Sequence, residues 1–199
     1  MTMPATFREG GHLMRALVVY ESMYGNTHLI ANAIGRGLAE VPDIAIDVLP
    51  VGRATDDEIR RTDLLVVGGP THAHAMSRAS SRTTAAVEAT KPDTDLTLDP
   101  DAEGEGLREW FDTLGHLSVP AAAFDTRFHM SAVLTGRASK GIDRRLRQRG
   151  GRMIASPMSF FVDKGNTLEP DQEARAAAWG RSLGAQVGRA ETSPTSPTA

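Results

Sequence analysis

A hydroxyl-rich turn, Ser22-Met23-Tyr24-Gly25-Asn26-Thr27, follows the apolar run Ala16–Tyr20 and opens at once into a helical pattern. These residue types at this place suit a phosphate monoester. The first amides of a helix lack intrahelical partners, and the helix dipole adds partial positive charge beside them. Ser22 and Thr27 can add hydroxyl donors, and Gly25 lets the backbone approach an anion closely. A valine at position 25 is expected to obstruct the turn. No lysine or arginine lies in it, so neutral donors must bind the anion. The turn matches neither the G-x-x-x-x-G-K-S/T triphosphate loop nor the G-x-G-x-x-G dinucleotide fingerprint. The plainer alternative is an ordinary strand-to-helix connection with a threonine cap.

Two more segments carry residues of chemical interest. After the apolar run Leu64–Val67 comes Gly68-Gly69-Pro70-Thr71-His72-Ala73-His74. Two glycines and a proline at a strand end suit a backbone packed closely on a flat ring. The pair His72 and His74 has no cysteine or acid nearby and falls short of a four-ligand metal site, so no metal is expected. After Ala121–Phe124 comes Asp125-Thr126-Arg127-Phe128-His129, with Phe128 the one strong aromatic candidate for stacking in these two segments. The stretch Ser77–Gly106 is rich in Ser, Thr and Ala and then in acids, Asp93 to Glu105. It does not match a calcium loop and is read as a solvated acidic loop able to cover a site or meet a partner. The arginines Arg144, Arg145, Arg147, Arg149 and Arg152 are read as a solvated helix face.

The elements that must position these residues are written in the hydropathy. Ala16–Tyr20 and Leu64–Val67 are continuous apolar runs, as expected of central strands buried on both faces. Ile44, Ile46 and Val48 alternate with polar or small neighbours, as expected of a half-exposed edge strand. Ala121–Phe124 is a fourth run, and Met153–Val162 a fifth, with Pro157 placing it at an edge or a bulge. Helical stripes lie between: Ile30, Ala33, Ile34, Gly37 and Leu38; Leu107, Trp110, Phe111, Leu114 and Leu117; Ile142 and Leu146; Ala176, Trp179, Leu183 and Val187. Both tryptophans fall on stripes and belong to the core. The alternation predicts an α/β three-layer sandwich, a five-stranded parallel sheet in the order 2-1-3-4-5 with helices on both faces. A ligand would then sit among loops leaving the carboxyl ends of strands one, three and four. The expected domain runs from 14 to 190, with an inserted loop at 77–106, an extension at 1–13 and a disordered tail at 191–199.

Composition narrows the function. The chain has 199 residues, enough for one well-buried domain. Lys and Arg number 22 against 25 Asp and Glu, a net charge of -3, without the basic excess of a general nucleic-acid binder. There is no cysteine, which excludes disulfides, thiolate metal sites and cysteine-nucleophile phosphatases, and fits a cytoplasmic protein. No apolar run reaches a membrane span, and residues 1–13 lack the apolar core of a signal peptide. An acid-based phosphorelay receiver is excluded as well, because Gly68-Gly69 stands where its acceptor Asp would be.

The turn Ser22–Thr27 resembles the phosphate-binding turn of the flavodoxins, and its S-M-Y-G start is similar to that of the tryptophan-repressor-binding-protein type NAD(P)H:quinone oxidoreductases. The resemblance implies a flavodoxin-like fold and FMN, with Ser22, Met23, Tyr24, Gly25, Asn26 and Thr27 on its 5′-phosphate. It implies Pro70, Thr71, His72 and Ala73 along the isoalloxazine edge, and Asp125, Thr126 and Arg127 on the third loop. Asp125 and Thr126 would meet the pyrimidine portion, and Arg127 the ring, the phosphate or Asp125. The second loop lacks the Trp or Tyr with which electron-carrier flavodoxins flank the ring. Three functions follow from the resemblance: electron transfer with redox partner proteins, reduction of a quinone by NAD(P)H, or a flavin-free interaction module. No catalytic residue is assigned.

Overall fold

The computed structural model describes residues 13–72, 75–131 and 136–191. Ala73 and His74, from the second loop, lie outside them. Strands β1 (Met14–Tyr20), β2 (Ile44–Pro50), β3 (Leu64–His72), β4 (Ala75–Met76), β5 (Pro120–Phe128), β6 (Arg152–Met153) and β7 (Met158–Val162) form one sheet. Helices α1 (Asn26–Ala39), α2 (Asp56–Arg60), α3 (Ala79–Ala89), α4 (Leu107–Thr113), α5 (Ala138–Gln148) and α6 (Gln172–Glu191) cover it.

The parallel path is β2-β1-β3-β5-β6, and β7 also pairs parallel with β5. This is the expected 2-1-3-4-5 order with two refinements. The fifth position is split: Pro157, which has no N–H to give a ladder, lies between β6 and β7, and each half pairs separately with β5. In addition β3 folds back through the short antiparallel β4, with Thr71 opposite Met76 and His72 opposite Ala75.

Alternation along the central strands builds two cores. Ala16, Val18 and Tyr20 of β1, Leu64 and Val66 of β3, and Ala122 and Phe124 of β5 face α1 and α6. Leu17 and Val19, Leu65 and Val67, and Ala121 and Ala123 face α4 and α5. Each large aliphatic buried this way contributes on the order of 1.5–3 kcal/mol. Trp179 lies edge-on to Phe124 and Phe160, and the indole N–H of Trp110 donates to Ala54 O at 2.9 Å. Both tryptophans are core residues.

Helices α1 and α6 touch backbone to backbone. A Cβ on Gly37 would lie 1.8 Å from the carbonyl oxygen of Ala177, and one on Gly180 would lie 2.2 Å from that of Ile34. The stretch expected as a loop from Ser77 to Gly106 instead holds α3. Only Arg82 and Ala85 of that helix are buried, so there was no apolar stripe to announce it.

Candidate functional site

The turn after β1 is built by its own side chains. Ser22 Oγ accepts from the Gly25 amide at 3.1 Å, and Gly25 takes the left-handed backbone with φ of 86°. A Cβ there would meet no atom within 4 Å. Backbone angle alone therefore calls for glycine here, and no neighbouring protein atom would obstruct a Cβ. Helix α1 then starts with no side-chain cap, and its first intrahelical bond is Leu29 N–H to Gly25 O at 2.9 Å. The amides of Asn26, Thr27 and His28 precede that bond and have no intrahelical acceptor.

Thr27 is buried, and its hydroxyl shares a 2.7 Å hydrogen bond with that of Thr126 on β5. This bond joins the first and third loops beneath the surface. Asn26 Nδ2 donates to Asn166 O at 2.7 Å, joining α1 to the turn after β7. The Tyr24 hydroxyl donates to Ala85 O on α3 at 3.3 Å. Burial first, and Glu88 second, raise the Tyr24 phenol above its ordinary value, so it stays neutral.

These loops enclose a cleft of about 520 Å³, within the usual size of small-molecule sites. Met23, Tyr24 and Asn26 line it from the first loop, Pro70, Thr71 and His72 from the second, and Thr126, Arg127 and Phe128 from the third. Nine of the residues singled out in the three loops thus meet: Met23, Tyr24, Asn26, Pro70, Thr71, His72, Thr126, Arg127 and Phe128. Ser22 instead borders a smaller neighbouring cavity with Tyr20, Glu21 and Arg53. Gly25 and Thr27 shape the turn without lining the cleft.

Asp125 departs from its expected role. It is fully buried and does not line the cleft. Its Oδ2 accepts from the Ser139 amide at 2.7 Å and the Thr71 hydroxyl at 3.2 Å, while Thr71 Oγ1 accepts from the Ala138 amide at 2.9 Å. The carboxylate therefore satisfies the first turn of α5, where a negative charge is stabilised, and holds the end of β3 in place. The glycines of the second loop also serve the core and not the cleft. A Cβ on Gly68 would lie 2.2 Å from the Phe124 ring, and one on Gly69 would lie 2.7 Å from Leu107 Cδ1.

Arg127 is held by the carbonyls of Phe128 and Met130 at 3.3 and 2.7 Å, and lies over the Phe161 ring at 4.9 Å. His129 stacks on the same ring at 4.3 Å. Burial lowers the Arg127 guanidinium from its ordinary value; nearby Asp125 opposes this and Arg137 adds to it. The group remains charged.

Two further walls complete the cleft, one from the acidic stretch expected to cover a site and one that the sequence reading did not single out. Asp93, Thr94, Asp95 and Leu96 come from the segment after α3, and Lys164, Gly165 and Asn166 from the turn after β7. The second could have been found. Ligands in doubly wound sheets sit outside the carboxyl ends of the strands, and Asp163-Lys164-Gly165-Asn166-Thr167 follows the last one.

Glu21, directly before the turn, is a buried carboxylate. It accepts from the Leu107 amide at 2.8 Å and from the Ser77 hydroxyl, and Arg82 Nη1 stands 3.9 Å away. Arg82 also pairs with Glu109 at 3.2 Å. Beside the turn, His28 Nδ1 meets the buried Asp99 carboxylate at 3.1 Å, and the Asp99 amide donates to Met23 O at 2.8 Å. The whole 77–107 stretch is thus fastened to the first loop. Among the described residues no group of three or more His, Cys, Asp or Glu could hold a metal ion, and no helix is long and apolar enough to cross a membrane.

No family model and no curated protein sequence matches this chain. Solved structures do. A flavodoxin from the domain Archaea is 18% identical with a TM-score of 0.60, over 88% of this chain and 99% of its own. Flavodoxin 1 from Bacillus cereus is 18% identical with a TM-score of 0.57, over 85% and 96%. A diflavin flavoprotein from Nostoc sp. is 18% identical with a TM-score of 0.54, over 91% and 97%. Likeness at such identity concerns architecture, and this chain has the flavodoxin fold.

Proposed function

We propose that the cleft binds FMN and that the protein is an electron-transfer flavoprotein working with redox partner proteins. The observation that carries this reading is the uncapped N-terminus of α1, with three amides lacking intrahelical acceptors, beside a cleft walled by the loops that follow β1, β3 and β5. The flavodoxin neighbours support the choice of FMN. The residues fit the group: the amides of Asn26, Thr27 and His28 hold its phosphate, and the left-handed Gly25 aims them. The paired hydroxyls of Thr27 and Thr126 leave one proton free for an acceptor. Backbone groups of Thr71 and His72 address the ring edge, with Ala73 the next residue of that loop, and Tyr24 and Phe128 supply the aromatic surfaces among the lining residues. Bound FMN supplies one- and two-electron chemistry that the side chains lack.

A second reading, an NAD(P)H-dependent quinone reductase, is supported by His72. It lines the cleft and its side chain makes no hydrogen bond among the described residues, which leaves the imidazole to act on a quinone as a general acid–base group. One experiment tests both. Purified protein is incubated with FMN, desalted and then mixed anaerobically with NADPH or NADH. Retained yellow colour that persists until a separate reductase is added supports the carrier. Direct bleaching supports the reductase. Loss of the flavin on desalting refutes both, and leaves a flavin-free interaction module.

A further inference from the structure

The first loop has a charge problem. It offers an anion only neutral donors, and two buried carboxylates border it, Glu21 before the turn and Asp99 against its second residue. Glu21 faces Arg82, and Asp99 meets the His28 ring. A phosphate dianion therefore enters a neighbourhood with no net positive charge from the turn itself.

Two cationic side chains line the cleft, Arg127 and Lys164. Arg127 is spent on the Phe128 and Met130 carbonyls and the Phe161 ring. Lys164 is exposed and has no ion pair or hydrogen bond through its ammonium among the described residues. Its turn is tightly built: the Asp163 amide donates to Thr167 O at 2.9 Å, and the Thr167 amide donates to Asp163 Oδ1 at 2.9 Å. Asn166 adopts φ of 60°. The same turn is seated on the first residue of α1 by the bond from Asn26 to the Asn166 carbonyl. Asn26 carries one of the amides assigned to the phosphate. Lys164, two residues from that anchor, lines the same cleft, on another wall of which stand Asp93 and Asp95.

We propose that Lys164 is the counter-charge of the bound phosphate, supplied by the last strand's loop in place of a basic residue in the phosphate turn. The inference rests on the cofactor reading above. A flexible amine at the cleft mouth recognises a phosphate monoester as a point charge. It adds little for a flavin without a phosphate. Lys164 therefore discriminates FMN from riboflavin.

The test measures dissociation constants of FMN and of riboflavin, at low and high salt, for the full-length parent, Lys164→Gln and Lys164→Arg. The Gln variant is expected to bind FMN about five-fold more weakly, the upper end for a partly exposed ion pair. Its riboflavin affinity stays at the parental value, and its FMN affinity loses part of its salt dependence. The Arg variant keeps the parental preference. Equal weakening for FMN and riboflavin would put the amine on the ring and overturn the assignment, as would an FMN affinity that does not move. A parent that binds neither flavin overturns the cofactor reading and this assignment together. A parent that binds FMN beside an unmoved Gln variant overturns this assignment alone.

Discussion

Gly25 offers a perturbation whose cost can be worked from the backbone. Its φ of 86° lies in the left-handed region, and a Cβ there would meet nothing within 4 Å. Gly25→Ala therefore adds no clash, and its penalty is conformational, about 1 kcal/mol for one residue held left-handed. Valine, branched at Cβ, costs about 2 kcal/mol at the same angle. Asparagine enters this region with little strain, so Gly25→Asn should be the mildest of the three. Two responses are open to the Ala and Val variants. The turn can hold its shape, and unfolding in urea then reports the full penalty at unchanged FMN affinity. Alternatively the turn relaxes to negative φ, stability is recovered, and the amides of Asn26, Thr27 and His28 swing off the phosphate. An anion at a helix N-terminus is worth up to about 2 kcal/mol, which caps the affinity loss at roughly 30-fold. Urea unfolding together with FMN titration separates the two, and riboflavin titration checks that the loss belongs to the phosphate. Parental stability combined with parental FMN affinity in both Gly25→Ala and Gly25→Val would refute the role given to this turn.

Other consequences can be checked alongside. Glu21→Ala strips acceptors from the Leu107 amide and the Ser77 hydroxyl and leaves buried Arg82 with Glu109 alone. It should cost about 3–5 kcal/mol in urea unfolding, whereas the double variant Glu21→Leu with Arg82→Met should cost clearly less than the two single changes summed. Gly37→Ala drives a methyl into the Ala177 carbonyl. A loss of about 1–3 kcal/mol from overpacking should outweigh the roughly 1 kcal/mol gained in helix propensity, so a raised melting temperature would contradict the close α1–α6 contact. Burial, with Asp99 and Asp101 adding to it, pushes the Tyr20 phenol up to about 12 from 10.0. The folded state then holds the phenolic proton more tightly than the unfolded chain. Stability should be independent of this group below pH 10 and fall as pH rises from 10 to about 12. Tyr20→Phe should flatten that fall, and an equally steep decline in the Phe variant would place its origin elsewhere.

The sequence disclosed those features whose causes are local. Continuous apolar runs at Ala16–Tyr20 and Leu64–Val67 could only be strands buried on both faces, and Pro157 could only interrupt a ladder. Ser22–Thr27 marked a helix start, but left a threonine cap open, and it is the structure that shows none. What stayed hidden depends on partners distant in the chain. Helix α3 is held by Arg82, which means little until Glu21 is brought beside it. Gly68 and Gly69 looked like a platform for a ring, yet their lack of a Cβ makes room for Phe124 and Leu107. Asp125 looked like a ligand contact because it ends a strand, and only the placement of α5 turns it into that helix's cap. The turn that holds Lys164 was legible as the loop after the last strand, but only the bond from Asn26 seats it against the first loop.

The close contact of Gly37 and Gly180 with the opposing helix backbones also sets a timetable for biosynthesis. The phosphate turn is made early, at residues 22–27, but the helix against which α1 rests is 172–191, and the loop seated on Asn26 is 163–167. Both must leave the ribosome before α1 has its full set of contacts, because until then it packs on the early strands alone. Until then the part of that sheet face which α6 covers is bare. The cleft proposed for the cofactor is therefore complete only once residues 163–191 have been made.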